Sequence, residues 1–185
     1  MAGWLIYNGF WNPQGPPDVV CRMRDAAAAR GLHWPAVPNT SLTAELAGDG
    51  GIAVLGGPVP GDYVLFWDKD VRLAKTLEAA GMRVYNTAAA VEVCDDKAAT
   101  HLALAREGIP MPRTLVAPMT YREYTAQGEE FLRRGEAALG YPLVVKECYG
   151  SLGGQVYLAR SAEELRTLAA GMDARPFMLQ RFVAA

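Results

Sequence analysis

Val144-Val145-Lys146-Glu147-Cys148-Tyr149-Gly150-Ser151-Leu152-Gly153-Gly154-Gln155-Val156 sets a lysine on an apolar strand, follows it with a glycine-rich loop, and returns into a second strand-like run. Glycine has no Cβ, reaches positive φ at little cost and lets backbone N–H groups come close to an anion. A lysine beside such a loop adds a full positive charge. The spacing is not that of a Walker A loop, which reads GxxxxGK[ST] and enters a helix. It is not a dinucleotide fingerprint either, because a strand follows rather than a helix. Taken alone, the segment is equally a hairpin turn with an edge lysine.

Working outward, the segment lies in an α+β layer, with strands as a hairpin plus flanking pieces and helices to one side. Upstream, Asp95-Asp96-Lys97 opens a helix that runs to Glu107 and is stopped by Gly108-Ile109-Pro110-Met111-Pro112. Arg113 to Ala117 reads as a strand, and a charged helix covers about Tyr121 to Leu139. Downstream, Ser161-Ala162-Glu163-Glu164 has capping-box spacing before a last helix. Phe177 to Val183 is the final strand, interrupted by Gln180 and Arg181. A strand edge can pair with adenine through its own N–H and C=O groups, or the run is a plain core strand. Lys97 falls in the first helical turn, where the macrodipole disfavours a cation by roughly 0.3–1 kcal/mol. A bound anion would offset that cost; an exposed lysine paired with Asp95 or Asp96 is the plainer reading.

The first half has a different rhythm. Apolar runs at Trp4–Tyr7, Ile52–Leu55, Tyr63–Trp67 and Met82–Tyr85 alternate with helical stretches. One helix starts at Asp18, read as its cap, with Val19, Met23, Ala26 and Ala27 as its apolar face and Gly31 as its stop. Another spans Val71 to Ala80, and Asn86-Thr87 caps a third. Such alternation predicts a parallel, Rossmann-like sheet. Asp68 and Asp70, flanking Lys69, read as a solvated strand-end turn that caps the next helix rather than a metal site. Trp11, Trp34 and Trp67 read as core or interface residues.

Composition narrows the classes further. The 185 residues are 51% apolar and 21% charged, ordinary for a globular protein. A net charge of -2 lacks the basic footprint of a nucleic-acid binder. Cys21, Cys94 and Cys148 form no CxxC pair, so zinc and redox motifs are not expected. No apolar run approaches the roughly 20 residues of a membrane span, and the first residues lack the basic start of a signal peptide. A cytoplasmic location is expected. His33 and His101 have no serine or cysteine partner in a recognisable constellation, and His101 reads as a surface residue one turn beyond Lys97. A dehydrogenase is disfavoured because no GxGxxG follows Trp4–Tyr7.

Several blocks in order resemble the ATP-grasp superfamily, nearest to the RimK-type alpha-L-glutamate ligases. They are GWLIYNGF (Gly3–Phe10), FWDKDVRLAK (Phe66–Lys75), CDDKAATHLALAREGIPMPRTLVAPMT (Cys94–Thr120), LGYPLVVKECYGSLGGQVYLA (Leu139–Ala159) and FMLQRFVAA (Phe177–Ala185). The resemblance implies an α/β fold in two parts. A Rossmann-like parallel-sheet pre-ATP-grasp domain would cover residues 1–93. A connecting helix and linker would cover 94–112, and a smaller α+β ATP-grasp subdomain, the first half of that fold, 113–185.

The resemblance also implies ATP as ligand, with a carboxylate and an amine as substrates. Lys146 would meet the α-phosphate and the adenine side. Tyr149, Gly150, Ser151, Gly153 and Gly154 would close over the β- and γ-phosphates, and Lys97 would be a second phosphate lysine. Gln180, Arg181, Phe182 and Val183 would form the hinge strand that reads adenine. Arg181 departs from the family, which usually carries glutamate there. In the family a Gly-Arg-Asp segment and a second half follow the hinge, bringing the Asp, Glu and Asn ligands of magnesium. After Glu164 the sole carboxylate side chain in this sequence is Asp173. The expectation is therefore no catalytic and no metal-binding residue in these 185 residues, with magnesium confined to a longer parent and no turnover here. The alternative is a non-catalytic binding module of the same ancestry. Self-association is expected through a bare edge on the last strand, around Phe177, Leu179 and Phe182.

Overall fold

The computed structural model describes residues 3–11, 13–58, 61, 63–121 and 128–184. The chain divides into two compact units, Met1–Glu92 and Val93–Ala185. In the first, β1 (Gly3–Tyr7) is buried along its whole length. A strand covered on both faces has no reason to alternate, hence the unbroken apolar run. Its Trp4 and Ile6 pack with Val64, Phe66, Leu73 and Leu77, while Leu5 and Tyr7 pack with Val20 on the other face.

The sheet is parallel, in the order β2 (Ala36–Pro38), β1, β5 (Tyr63–Trp67), β6 (Arg83–Tyr85). From β1 the chain passes through α1 (Asp18–Ala28) to β2 on one side, while β5 and, through α2 (Val71–Ala79), β6 lie on the other. The order therefore reverses between β1 and β5. Asp70 caps α2, its carboxylate accepting from Leu73 N at 3.0 Å. Thr87 Oγ1 accepts from Ala90 N at 3.2 Å at the start of α3 (Ala88–Asp95).

Three readings of this unit need correction. Pro17 occupies the cap position of α1 with no side-chain cap bond, and Asp18 sits in the first turn. Val20 and Ala27 are the buried residues of that helix and Ala26 is exposed, while Val19 and Met23 pack against the Leu5–Tyr7 side of the sheet as read. The run at Ile52 does not join the parallel sheet. It forms β4 (Ile52–Gly56), paired antiparallel with β3 (Leu42–Leu46) as a separate two-stranded sheet. Strand β2 has three residues ending at Pro38, too short to leave a period in the sequence.

The second unit carries an antiparallel sheet in the order β7 (Thr114–Val116), β10 (Phe177–Arg181), β8 (Leu143–Glu147), β9 (Val156–Ala159). Helices α5 (Glu129–Leu139) and α6 (Ala162–Gly171) share one core with one face of this sheet: Leu132 and Leu139 from α5, Leu165 and Ala169 from α6, with Leu143, Val145, Phe177 and Leu179. The expected charged helix is described from Glu129; its stretch 122–127 lies outside the described residues. Ser161 caps α6 from its Oγ to Glu164 N at 3.2 Å. The Glu164 carboxylate returns to Arg160 N at 2.8 Å, one residue ahead of the usual capping-box partner.

The last strand has no bare edge. It is paired on both sides, and Phe177 and Leu179 are buried under the helices. The short strand at Thr114 covers the edge from which self-association was expected.

Candidate functional site

The face of this sheet opposite α5 and α6 carries the polar residues. On β8 the residues alternate, so Leu143, Val145 and Glu147 turn toward the helices while Lys146 turns away. On β10, Met178 and Gln180 share the Lys146 side through the registers Met178↔Lys146 and Gln180↔Val144. Thr114 joins them opposite Gln180.

Helix α4 (Lys97–Arg106) bonds to this face. Asp96 caps it, accepting from Ala98 N at 2.8 Å and Ala99 N at 3.2 Å. Its first backbone N–H, of Lys97, donates to Cys148 O at 2.8 Å, which ties the helix start to the loop after β8. The Lys97 ammonium donates to Gly150 O at 2.8 Å and to Cys148 O at 3.5 Å. It does not pair with Asp96, which is occupied in capping; the plainer reading of Lys97 is corrected.

Gln180 is 5% exposed and bonds on three sides. Its Oε1 accepts from Lys146 Nζ at 2.6 Å, and its Nε2 donates to Thr114 Oγ1 at 2.8 Å. Nε2 also lies 2.9 Å from His101 Nε2, while His101 Nδ1 lies 2.7 Å from Lys97 O. A carbonyl can only accept, so Nδ1 carries the proton and Nε2 accepts from the amide. Thr114 Oγ1 in turn donates to Pro112 O at 2.8 Å. Every donor therefore has one consistent partner. Turning the Gln180 amide over would set its NH2 against the Lys146 ammonium. His101 was read as a surface residue, yet it joins Lys97 to Gln180 and so to Lys146. The signal available was its spacing: His101 lies four residues, one turn, beyond Lys97. Nitrogen-15 NMR of His101 should show a protonated Nδ1 and an unprotonated Nε2 at neutral pH. The reverse tautomer would break this chain of bonds.

Burial, with the neighbouring Lys97 charge second, lowers the Lys146 pKa below the ordinary lysine value. Neither ammonium is ion-paired among the described residues; each rests on neutral oxygens. Two like charges on one partly buried face favour an anion between or beside them.

The loop from Tyr149 to Gly154 joins β8 to β9 with positive φ at Gly150 (115°), Leu152 (61°) and Gly153 (76°). At Gly150 the positive φ favours glycine, and a Cβ there would stand 2.3 Å from Gln155 Oε1, displacing that side chain. Gly153 and Gly154 face open space, and Leu152 at the tip is fully exposed. Burial first, and then the nearby Asp96 charge, raise the Tyr149 phenol pKa above its ordinary value.

The last sequence-derived positions part company here. Gln180 is a buried side-chain hub, and Arg181 donates its N–H to Arg113 O at 2.9 Å. Phe182 and Val183 lie past the end of β10 and are exposed. Gln180 is paired on both sides in the sheet, whereas Phe182 and Val183 lie beyond those registers.

Residues 94–185 match the RimK-like ATP-grasp domain family. The chain is 32% identical over 130 residues to the uncharacterized protein MG012 homolog of Mycoplasma pneumoniae, covering 69% of this chain and 45% of that protein. It is 37% identical over 92 residues to the glutamate–LysW ligase ArgX of Sulfurisphaera tokodaii, 50% of this chain and 29% of that one. Among solved structures, a RimK domain ATP-grasp protein of Sphaerobacter thermophilus superposes with a TM-score of 0.72 at 24% identity, over 100% of this chain and 65% of that chain. D-alanyl-alanine synthetase A of Vibrio cholerae superposes at 0.67 with 12% identity, over 99% and 59%. These two likenesses concern the fold. The chain spans less than half the length of the curated relatives it matches.

Proposed function

Residues 94–185 belong to the RimK-like ATP-grasp family, and from that premise we propose that the chain is the ATP-holding part of an ATP-dependent carboxylate–amine ligase. The observation that carries the reading is the pair Lys97 and Lys146. Two ammoniums stand on one sheet face, next to a glycine loop, without a carboxylate partner among the described residues. In this reading Lys146 meets the α-phosphate and Lys97 the phosphates beyond it. Tyr149, Gly150, Ser151, Gly153 and Gly154 fold over the β- and γ-phosphates through backbone N–H groups. Phe182 and Val183, with Gln180 and Arg181 before them, border the adenine.

The whole ligase would let a carboxylate oxygen attack the γ-phosphorus, with ADP leaving and an acyl phosphate forming. An amine then attacks the acyl carbon, phosphate leaves, and the nitrogen gives up a proton. Among the described residues no group of three or more His, Cys, Asp or Glu side chains could hold a metal ion. The 185 residues by themselves are proposed to bind ATP without turnover. Also among the described residues, no helix is long and apolar enough to cross a membrane.

Isothermal titration of ATP into the chain tests the reading. Saturable binding, with no ADP released when glutamate and an amine are added, is expected. Absence of binding would leave a non-nucleotide module as the better account; ADP release would end the claim of inactivity.

A further inference from the structure

Among the described residues, the buried polar side chains are Glu147 and Gln180, both in the sheet of the second unit. Glu147 is a charge with its partners beside it: Arg175 Nη1 donates to it at 2.6 Å and the Tyr157 hydroxyl at 3.2 Å. Gln180 has no charge to neutralise, and an apolar residue would fill its place without the cost of burying an amide. What its amide holds is the reason for a glutamine there.

The amide has two orientations, and its neighbours differ in which they allow. Thr114 allows both. Its hydroxyl accepts from Gln180 Nε2 at 2.8 Å as it stands, and would turn to donate to an oxygen in the same place. Lys146 can only donate, but its ammonium rides on a flexible stem and can move away. His101 allows one orientation. Its Nδ1–H is committed to Lys97 O at 2.7 Å, so its Nε2, 2.9 Å from Gln180 Nε2, can only accept. An amide oxygen turned toward that nitrogen would meet a lone pair. The NH2 group is thereby kept toward α4, and Oε1 is left facing Lys146 Nζ at 2.6 Å.

We propose that His101 is a positioning residue of the phosphate site: it fixes the Gln180 amide so that Oε1 holds the Lys146 ammonium in place, and it touches no ligand itself. This rests on the ATP reading of the two lysines. One N–H of the ammonium bonds Oε1, and the remaining N–H groups are left for a phosphate. A long side chain is then ordered before the nucleotide arrives, which lowers the entropic cost of binding. The same ring accepts no substitute at its other end, where it is pinned to the backbone of Lys97. The helical turn that carries one lysine is thus joined through His101 and Gln180 to the other.

His101→Phe keeps a planar ring and removes both nitrogens. In ATP titrations it should weaken binding by about three- to tenfold. In a chain already carrying Lys146→Ala it should cost nothing further, because the group it positions is gone. Equal losses in the two backgrounds would overturn the proposal. Two NMR measurements need no nucleotide. A 15N–15N coupling across the bond from Gln180 Nε2–H to His101 Nε2 is expected in the wild-type chain. The ε-methylene protons of Lys146 should give split signals in the wild type that merge in His101→Phe. Absence of the coupling, or Lys146 signals unchanged by the substitution, would overturn the proposal. The coupling decides it on the unsubstituted chain even where phenylalanine prevents folding. If the wild type binds no ATP while the coupling and the merging are both seen, the ATP reading falls and the positioning of Lys146 by His101 stands.

Discussion

Replacing Lys146 by alanine is expected to lower ATP affinity by about 10- to 100-fold. A hydrogen bond to a charged group contributes about 1.5–3 kcal/mol, and each 1.4 kcal/mol is tenfold in affinity. The effect should exceed that of an ordinary surface lysine, because burial and the Lys97 charge already hold this ammonium in an unfavourable place. A phosphate relieves both penalties at once. The lowered pKa adds a second reading of the same site. The unfolded chain holds the proton at higher pH than the folded one does. Folding stability thus rises as pH climbs from the lowered value toward the ordinary lysine value, and ATP affinity falls over the same window. Binding there should take up a proton, which calorimetry in two buffers of different ionisation enthalpy will register in the wild type and not in Lys146→Ala. Equal affinities of the two proteins would remove Lys146 from the site.

The largest stability effect is expected at Leu179. It is fully buried between the two helices and the sheet, and its loss to alanine should cost about 2–5 kcal/mol. Its methyl Cδ1 lies 2.4 Å from where a Cβ on Gly135 would stand, so α5 approaches the strand through a glycine. Gly135→Ala in the wild-type chain should therefore destabilise by overpacking. With Leu179 already shortened, that obstacle is gone, and alanine for glycine inside a helix favours the fold by about 1 kcal/mol. The same substitution should change sign between the two backgrounds. Denaturant unfolding of the four proteins measures it; additive effects would show that the two residues do not share this space.

The elements that could be read in advance are those whose pattern is local. Trp4–Tyr7 and Tyr63–Trp67 carry their burial in their composition. Asp70, Thr87, Asp96 and Ser161 announce helix starts because a cap acts on N–H groups two or three residues away. Strand β2 and the β3–β4 pair left no such mark. Leu42–Leu46 is stabilised by its partner Ile52–Gly56 rather than by anything within its own five residues. The terminal strand was read correctly as a strand and wrongly as an edge. Neighbour order in a sheet is a long-range property, and Thr114–Val116 supplied the missing neighbour.

The same division runs through the site. The lysine, the glycine loop and the second lysine are legible in the sequence alone, because a cluster of glycines marks a turn whatever packs beside it and a cation on an apolar strand is unusual wherever it occurs. What they rest on was decided by the tertiary structure. Lys97 and Gly150 are distant in sequence and meet because α4 begins against the loop after β8. Gln180 and His101 became one hydrogen-bonded chain because an antiparallel register placed Gln180 beside Thr114 and opposite Val144. A residue's chemistry travels with its type; its partner is set by which strand lies next to which, and only the folded chain settles that.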